Sequence, residues 1–211
     1  RNYILLLSIL TFISCQSFKI DQSNEPKTKN DISNAALKFA KKVSNENVSV
    51  HSYNLFTSSY PDIQMLFETE ELVSFSSYSN KLSQNSPKPM NYEDCILFEG
   101  IYKNLTDAEN IFQELKSTAQ IPFSEVKGFA GLFFEQVQVF ERIRKTGGMI
   151  TQKGNSIFFL VKSCKNPPKG KSWKDYEKLF LGFIAEKNEE IEVLNADCEM
   201  GKLIVQRISS S

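Results

Sequence analysis

Few residues in this 211-residue chain have the types and spacing that covalent or metal chemistry requires. The chain has a single histidine, His51, so a serine or cysteine nucleophile has only one imidazole available as its base. A Cys95–His51 pair is the cysteine-nucleophile alternative, but nothing in the sequence places these two side chains together. His51 also lacks a second ligand at a spacing typical of a metal site. We therefore predict no catalytic residue, no metal ligand and no cofactor.

Paired carboxylates are the second candidate for chemistry. The chain has three groups of neighbouring carboxylates: Glu68, Glu70 and Glu71; Glu93 and Asp94; and Glu189, Glu190 and Glu192. Glycosidases use a pair of carboxylates as acid and base. Such pairs occur in most globular chains, and the surfaces of helices and turns explain these ones. The sequence also lacks a phosphate-binding loop, a dinucleotide fingerprint and a metalloprotease motif. An enzyme is therefore not the favoured interpretation.

The most suggestive surface feature is a basic segment that contains the only tryptophan. Its members are Lys165, Lys169, Lys171, Trp173 and Lys174. A basic loop with one large aromatic side chain can meet anionic lipid headgroups, glycans or an acidic protein partner. The alternative is a solvated loop whose tryptophan packs into the core at the start of a helix. We take Lys169, Lys171, Trp173 and Lys174 as the candidate partner-binding residues.

The first fifteen residues form a distinctive segment. Arg1 precedes an almost entirely apolar run from Tyr3 to Ile13, which is shorter than the roughly 20 residues that span a bilayer. Phe12-Ile13-Ser14-Cys15 then resembles the cleavage motif of bacterial lipoproteins. Phe12 departs from the commoner leucine of that motif. The alternatives are an ordinary signal peptide or a buried N-terminal strand with an incidental cysteine.

The resemblance to lipoproteins has definite consequences. It implies cleavage before Cys15, lipidation of the Cys15 thiol and new amino terminus, and attachment to a membrane of the bacterial envelope. Two or three acyl chains make such anchoring stable, whereas one chain is marginal. Gln16 follows the cysteine where an aspartate would favour retention in the inner membrane. The resemblance therefore points to the outer membrane rather than the inner one.

Export also bears on the remaining cysteines. An exported protein folds in an oxidising compartment, where thiols tend to pair. With Cys15 lipidated, three of the four cysteines remain, so at most one internal disulfide forms. Cys164 ends a predicted strand and Cys198 lies in a predicted hairpin turn. We predict a Cys164–Cys198 disulfide, which leaves Cys95 as a buried free thiol.

Composition limits the classes of partner and the number of domains. Twenty-five basic and 25 acidic residues give zero net charge, which argues against nucleic acid as a partner. Hydrophobic residues make up 41% of the chain and include 17 phenylalanines, enough for one substantial core. The length fits one domain with a tail. We assign residues 1–14 to the signal peptide, 15–30 to the lipidated cysteine and tether, and 31–208 to a single domain.

Hydrophobic periodicity predicts the elements that must position these residues. Lys153-Gly154-Asn155 is typical of a hairpin turn, and Thr106 with Glu109, like Ser172 with Asp175, is typical of a helix start. The pattern over 129–145 is ambiguous, and partial alternation from Gln136 to Arg144 favours a strand there. The other predicted elements are helices over 31–46 and about 58–73, strands over 48–56 and 95–103, a long loop over 76–92, and a last hairpin joining 191–196 to 202–208.

These elements predict an α+β domain, an antiparallel sheet with helices packed mainly on one face. The anchor and the lack of a catalytic set favour a non-enzymatic binding or envelope-structural module that acts on another envelope protein or a glycan. The alternative is a carrier of a small apolar or lipid ligand, held between sheet and helices. That alternative rests on the many phenylalanines, namely Phe129, Phe133, Phe134, Phe158, Phe159, Phe180 and Phe183.

Overall fold

The computed structural model describes the chain in seven stretches, residues 29–43, 48–53, 61–79, 96–128, 130–162, 164 and 172–210. The predicted signal peptide, Cys15 and the tether as far as residue 28 lie outside these stretches. Residues 80–92 of the predicted loop lie outside them as well. Residues 76–79, which we assigned to that loop, instead belong to a strand.

Six helices and seven strands make up the described chain. No helix in these stretches is long and apolar enough to cross a membrane. In chain order the elements are α1 (Lys29–Val43), β1 (Ser49–Tyr53), α2 (Pro61–Gln64), β2 (Leu72–Ser79), β3 (Ile96–Tyr102), α3 (Leu105–Thr118), α4 (Phe123–Val126), α5 (Leu132–Thr146), β4 (Met149–Lys153), β5 (Ser156–Val161), α6 (Trp173–Ile184), β6 (Glu190–Asp197) and β7 (Lys202–Ser209).

All seven strands form one sheet in the order β1-β2-β3-β5-β4-β6-β7. Every neighbouring pair is antiparallel. The predicted hairpins are confirmed: β4 and β5 meet at Gly154, whose φ of 58° suits a tight turn, and β6 joins β7 through Gly201. The α+β class with an antiparallel sheet is therefore confirmed.

Helices cover both faces of this sheet, which corrects the expectation that they lie mainly on one. Alternate residues of β5 belong to two separate cores. Ile157 and Phe159 face α3 and α5, whereas Phe158 and Leu160 face α1 and α6. A strand with apolar side chains on both sides must be covered on both sides.

Phenylalanine rings fill the space between the layers. On one face Phe98 and Phe159 stack with ring centroids 6.2 Å apart. On the other, Phe180 contacts Phe39 at 5.1 Å and Phe158 at 5.4 Å. All five are almost completely buried. Burial of each ring stabilises the fold by about 1.5–3 kcal/mol.

The helix predicted over 58–73 is wrong beyond Gln64. α2 ends there, and Leu66 and Phe67 form a buried turn before β2 begins at Leu72. The Phe67 ring packs over Gly100 of β3, where a Cβ would lie 2.5 Å from it. The Phe67 carbonyl also accepts a hydrogen bond from the Tyr102 hydroxyl at 3.0 Å. Packing on β3 overrides the helical pattern.

The strand favoured over 129–145 is also wrong, because α5 occupies Leu132–Thr146. Val137, Phe140 and Ile143 are buried and three residues apart, a helical spacing that the alternation of Val137 and Val139 hid. Gly131 and Gly147 bound the helix at φ values of 102° and 106°. α5 therefore packs on the sheet instead of joining it.

The predicted capping box at Thr106 and Glu109 is misplaced, because α3 begins one residue before Thr106. The N-cap is Asn104, whose side-chain oxygen accepts the Asp107 N–H at 2.9 Å. Its amide also donates to the Asp107 carboxylate at 2.8 Å. Asparagine is among the strongest N-cap residues, so it displaces the threonine.

Candidate functional site

The first turn of α6 carries two of the four candidate partner-binding residues. Ser172 and Asp175 form the predicted capping box, with Asp175 N–H donating to Ser172 Oγ at 3.2 Å and Ser172 N–H donating to Asp175 Oδ2 at 3.0 Å. This cap fixes where α6 begins. It therefore fixes the positions of Trp173 and Lys174, which follow directly.

Trp173 is half-buried and Lys174 is exposed. The indole ring lies 5.7 Å from the Tyr176 ring. Trp173 Nε1 is buried and has no hydrogen-bond partner among the described residues. Lys169 and Lys171 lie outside the described stretches, so the structure brings together only the C-terminal pair of the predicted set.

A buried ionic cluster lies beneath α6, one turn after Trp173. Lys162 Nζ donates to Glu177 Oε1 and to Asn195 Oδ1, both at 2.6 Å. Asn195 Nδ2 donates to Glu177 Oε2 at 3.2 Å. All three side chains are nearly inaccessible to solvent. We call Lys162, Glu177 and Asn195 the α6 triad.

Three elements position the α6 triad. Lys162 directly follows β5, Glu177 lies on α6, and Asn195 lies on β6. Met149 of β4 pairs with Leu160 on one side and Asn195 on the other. The triad therefore ties α6 to strands on either side of β4. An ion pair this deeply enclosed fixes geometry, and loss of one member leaves an uncompensated buried charge.

The predicted disulfide between Cys164 and Cys198 is confirmed, with the two Cα atoms 5.2 Å apart. It joins the chain just after β5 to the turn after β6. The α5–β4 connection is held in the same region, since Cys164 N–H donates to Thr146 O at 2.8 Å and Ala196 N–H donates to Gly148 O at 2.9 Å. The disulfide thus reinforces the end of the sheet where the α6 triad lies.

A second buried carboxylate lies on the same face of the sheet, under α1. Glu99 is 1% exposed. Its Oε1 accepts from Ser33 Oγ at 2.7 Å and Ser156 Oγ at 3.0 Å, and its Oε2 accepts from the Tyr78 hydroxyl at 2.6 Å. Burial and the Glu99 carboxylate raise the pKa of Tyr78 well above its ordinary value. The Tyr78 hydroxyl therefore stays protonated and remains a donor to Glu99.

No protein family model, no curated protein and no solved structure matches this chain. What the candidate site can do therefore follows from its geometry.

That geometry suits positioning rather than proton transfer. A general acid or base must come within hydrogen-bonding reach of a substrate. Glu99 and Glu177 are enclosed and already accept protein donors. Both groups tie a helix to the sheet. In the described part of this region the Trp173–Tyr176 aromatic pair is half-buried and Lys174 is exposed.

Sequence reasoning missed the α6 triad and Glu99. The sequence does carry a signal for both buried carboxylates. Glu99 interrupts the apolar run of β3, and Glu177 lies three and four residues before the buried Phe180 and Leu181. A charge on an apolar face indicates a buried partner. Lys162 and Asn195 carried no comparable signal, because their roles depend on the order of the strands.

The remaining candidates do not form a site in the described stretches. His51 lies in β1, but its side chain is not among those that the structure describes. Cys95 lies outside the described stretches. Glu189 and Glu192 pair with Lys153 and Lys116, respectively. No group of three or more histidine, cysteine, aspartate or glutamate side chains within the described stretches could hold a metal ion.

Proposed function

We propose that this protein is a lipid-anchored component of the bacterial cell envelope whose folded domain binds another envelope protein or a glycan. The Cys15 motif supports the anchor. The binding role rests on one observation, the half-buried Trp173 beside the exposed Lys174 on a helix start fixed by a capping box. Tryptophan anchors of this kind carry a large share of binding energy in interfaces, and rigid placement lowers the entropy lost on binding.

The carrier alternative gains no support from the phenylalanines that suggested it. Phe158, Phe159 and Phe180 are fully buried and contact other core side chains. Phe133, by contrast, is exposed to solvent. The described rings therefore either fill the two cores or lie at the surface.

Replacing Cys15 with serine tests the anchor. We expect the unchanged chain, expressed in a bacterium, to enter the detergent phase after extraction and to carry the mass of diacylglyceryl and acyl groups. The Cys15→Ser variant should lose that mass and leave the detergent phase. Cys95→Ser is the matched control and should keep both properties. An unmodified Cys15 in the exported protein would rule out the lipid anchor.

Replacing Trp173 with alanine tests the binding surface. A photo-crosslinking amino acid at position 174 should form adducts with a partner in intact cells, and Trp173→Ala should reduce their yield about tenfold. Trp173→Phe keeps a ring and should retain part of the yield. The same probe at the exposed position 73 is the control for random encounter. Circular dichroism checks that each variant is folded; undiminished adducts in folded Trp173→Ala would remove this surface from the proposal.

A further inference from the structure

The start of α5 exposes a cluster of apolar side chains. Leu132 is 45% exposed and Phe133 is 48% exposed. The adjacent Phe134 packs against Phe123 of α4, with ring centroids 5.7 Å apart. Large exposed apolar side chains on consecutive positions, backed by further aromatic rings, are typical of an interaction surface.

A basic groove lies beside this cluster and shares Phe123 with it. The groove is open, has a volume of about 760 Å³, and contains three basic residues, Lys127, Arg144 and Lys202, against one carboxylate, Glu141. Lys145 and Arg144 donate hydrogen bonds to the Glu141 carboxylate. They compensate its negative charge and hold its pKa below the ordinary value. Lys127 and Lys202 are exposed, and neither forms an ion pair within the described stretches.

We propose that this region, the α4–α5 surface formed by Phe123, Lys127, Leu132, Phe133 and Lys202, rests on the lipid surface of the membrane that holds the anchor. Leu132 and Phe133 enter the boundary between headgroups and acyl chains, and the two lysines are attracted to the net negative charge of anionic headgroups. Apolar side chains beside unpaired lysines match the chemistry of such a boundary. This inference rests on the proposed anchor at Cys15.

The length of chain before α1 makes this docking feasible. A stretch of fourteen residues, the number from 15 to 28, can span at most about 50 Å. A domain of this size has a radius of gyration of about 16 Å, hence a diameter of about 40 Å. The tether therefore lets the α4–α5 surface reach the bilayer even though α1 lies on the opposite face of the sheet.

Tethering also lowers the affinity that the surface needs. A short flexible linker gives an effective concentration in the millimolar range. A surface that binds lipid with a dissociation constant of about 1 mM is then bound to the membrane roughly half of the time. Partial burial of two apolar side chains and attraction of two lysines to anionic lipid together give binding of about this strength. They also set which face of the domain points away from the membrane.

Vesicle sedimentation of the unlipidated chain, residues 16–211, tests the proposal. This chain contains every described helix and strand, since these begin at Lys29 and end at Ser209. We expect it to sediment with vesicles of phosphatidylethanolamine and phosphatidylglycerol. Leu132→Ser/Phe133→Ser should weaken binding at least tenfold. Lys127→Gln/Lys202→Gln should weaken binding to these vesicles and have little effect with vesicles of phosphatidylcholine alone.

Val73→Ser/Leu105→Ser is the matched control, because it removes two equally exposed apolar side chains elsewhere. It should bind vesicles like the unchanged chain, and thermal melting checks that all variants fold. Absence of vesicle binding, or equal binding by Leu132→Ser/Phe133→Ser, overturns the proposal. So does a dimer in size-exclusion chromatography that this double variant dissociates, since a second copy would then cover the surface.

The two proposals fail separately. Vesicle binding is measured without lipid on Cys15, so an unmodified Cys15 in cells leaves the vesicle result intact. A lipidated Cys15 with no vesicle binding by residues 16–211 removes the α4–α5 surface alone.

Discussion

Replacing Glu177 with leucine lowers the free energy of unfolding by about 3–5 kcal/mol. The substitution leaves the Lys162 ammonium group buried, with only Asn195 as a partner. A buried charge without its counter-ion costs this much because neither water nor protein repays its desolvation. Urea denaturation at pH 7, followed by circular dichroism, measures the change.

Two further variants of the α6 triad complete the test. The triple variant Lys162→Met/Glu177→Leu/Asn195→Leu removes every charge and amide together, and should lie within about 2 kcal/mol of the unchanged protein. Lys174→Met, on the exposed side of α6, should change stability by at most about 0.5 kcal/mol. A loss below about 1 kcal/mol in Glu177→Leu would mean that water reaches Lys162.

Removal of the disulfide by Cys164→Ser/Cys198→Ser lowers stability by about 3–4 kcal/mol. The cross-link closes a loop with a sequence separation of 34 residues, and the entropy of that loop in the unfolded chain sets the magnitude. For a chain of this size, this corresponds to a fall in melting temperature of about 6–16 °C. Scanning calorimetry measures it.

Reduction gives an internal control for this prediction. Dithiothreitol should lower the melting temperature of the unchanged protein to that of the double variant, and should leave the variant itself unaffected. Cys95→Ser should keep the sensitivity to dithiothreitol. If the oxidised protein and the double variant melt together, the Cys164–Cys198 bond contributes nothing to stability.

Local chemistry predicted part of this fold well. Gly154 in the hairpin turn and the Ser172–Asp175 capping box lie where short-range rules place them. The alternation of Val137 and Val139 predicts a strand, and the helical spacing of α5 becomes visible only when Phe140 and Ile143 are counted with Val137. Phe67 does not continue the predicted helix, because its ring packs over Gly100, a residue distant in the sequence that has no side chain.

The candidate site was harder to predict than the fold. The basic segment indicates Trp173 as a candidate. Its half-buried position in the first turn of α6 fits the alternative in which the tryptophan packs at the start of a helix. The triad beneath it joins residues 15 and 33 positions apart from Lys162. No local sequence pattern predicts such a contact, because it depends on the order of the strands, in which β4 lies between β5 and β6.

The position of β4 has a consequence for hydrogen exchange. Its neighbours β5 and β6 pair with it on both sides, and the Cys164–Cys198 bond holds their ends together. β1 and β7, at the two edges of the sheet, each have one neighbour among the described strands. Amide protons of the edge strands can therefore exchange with solvent through local fraying, whereas those of β4 exchange only when the whole domain opens.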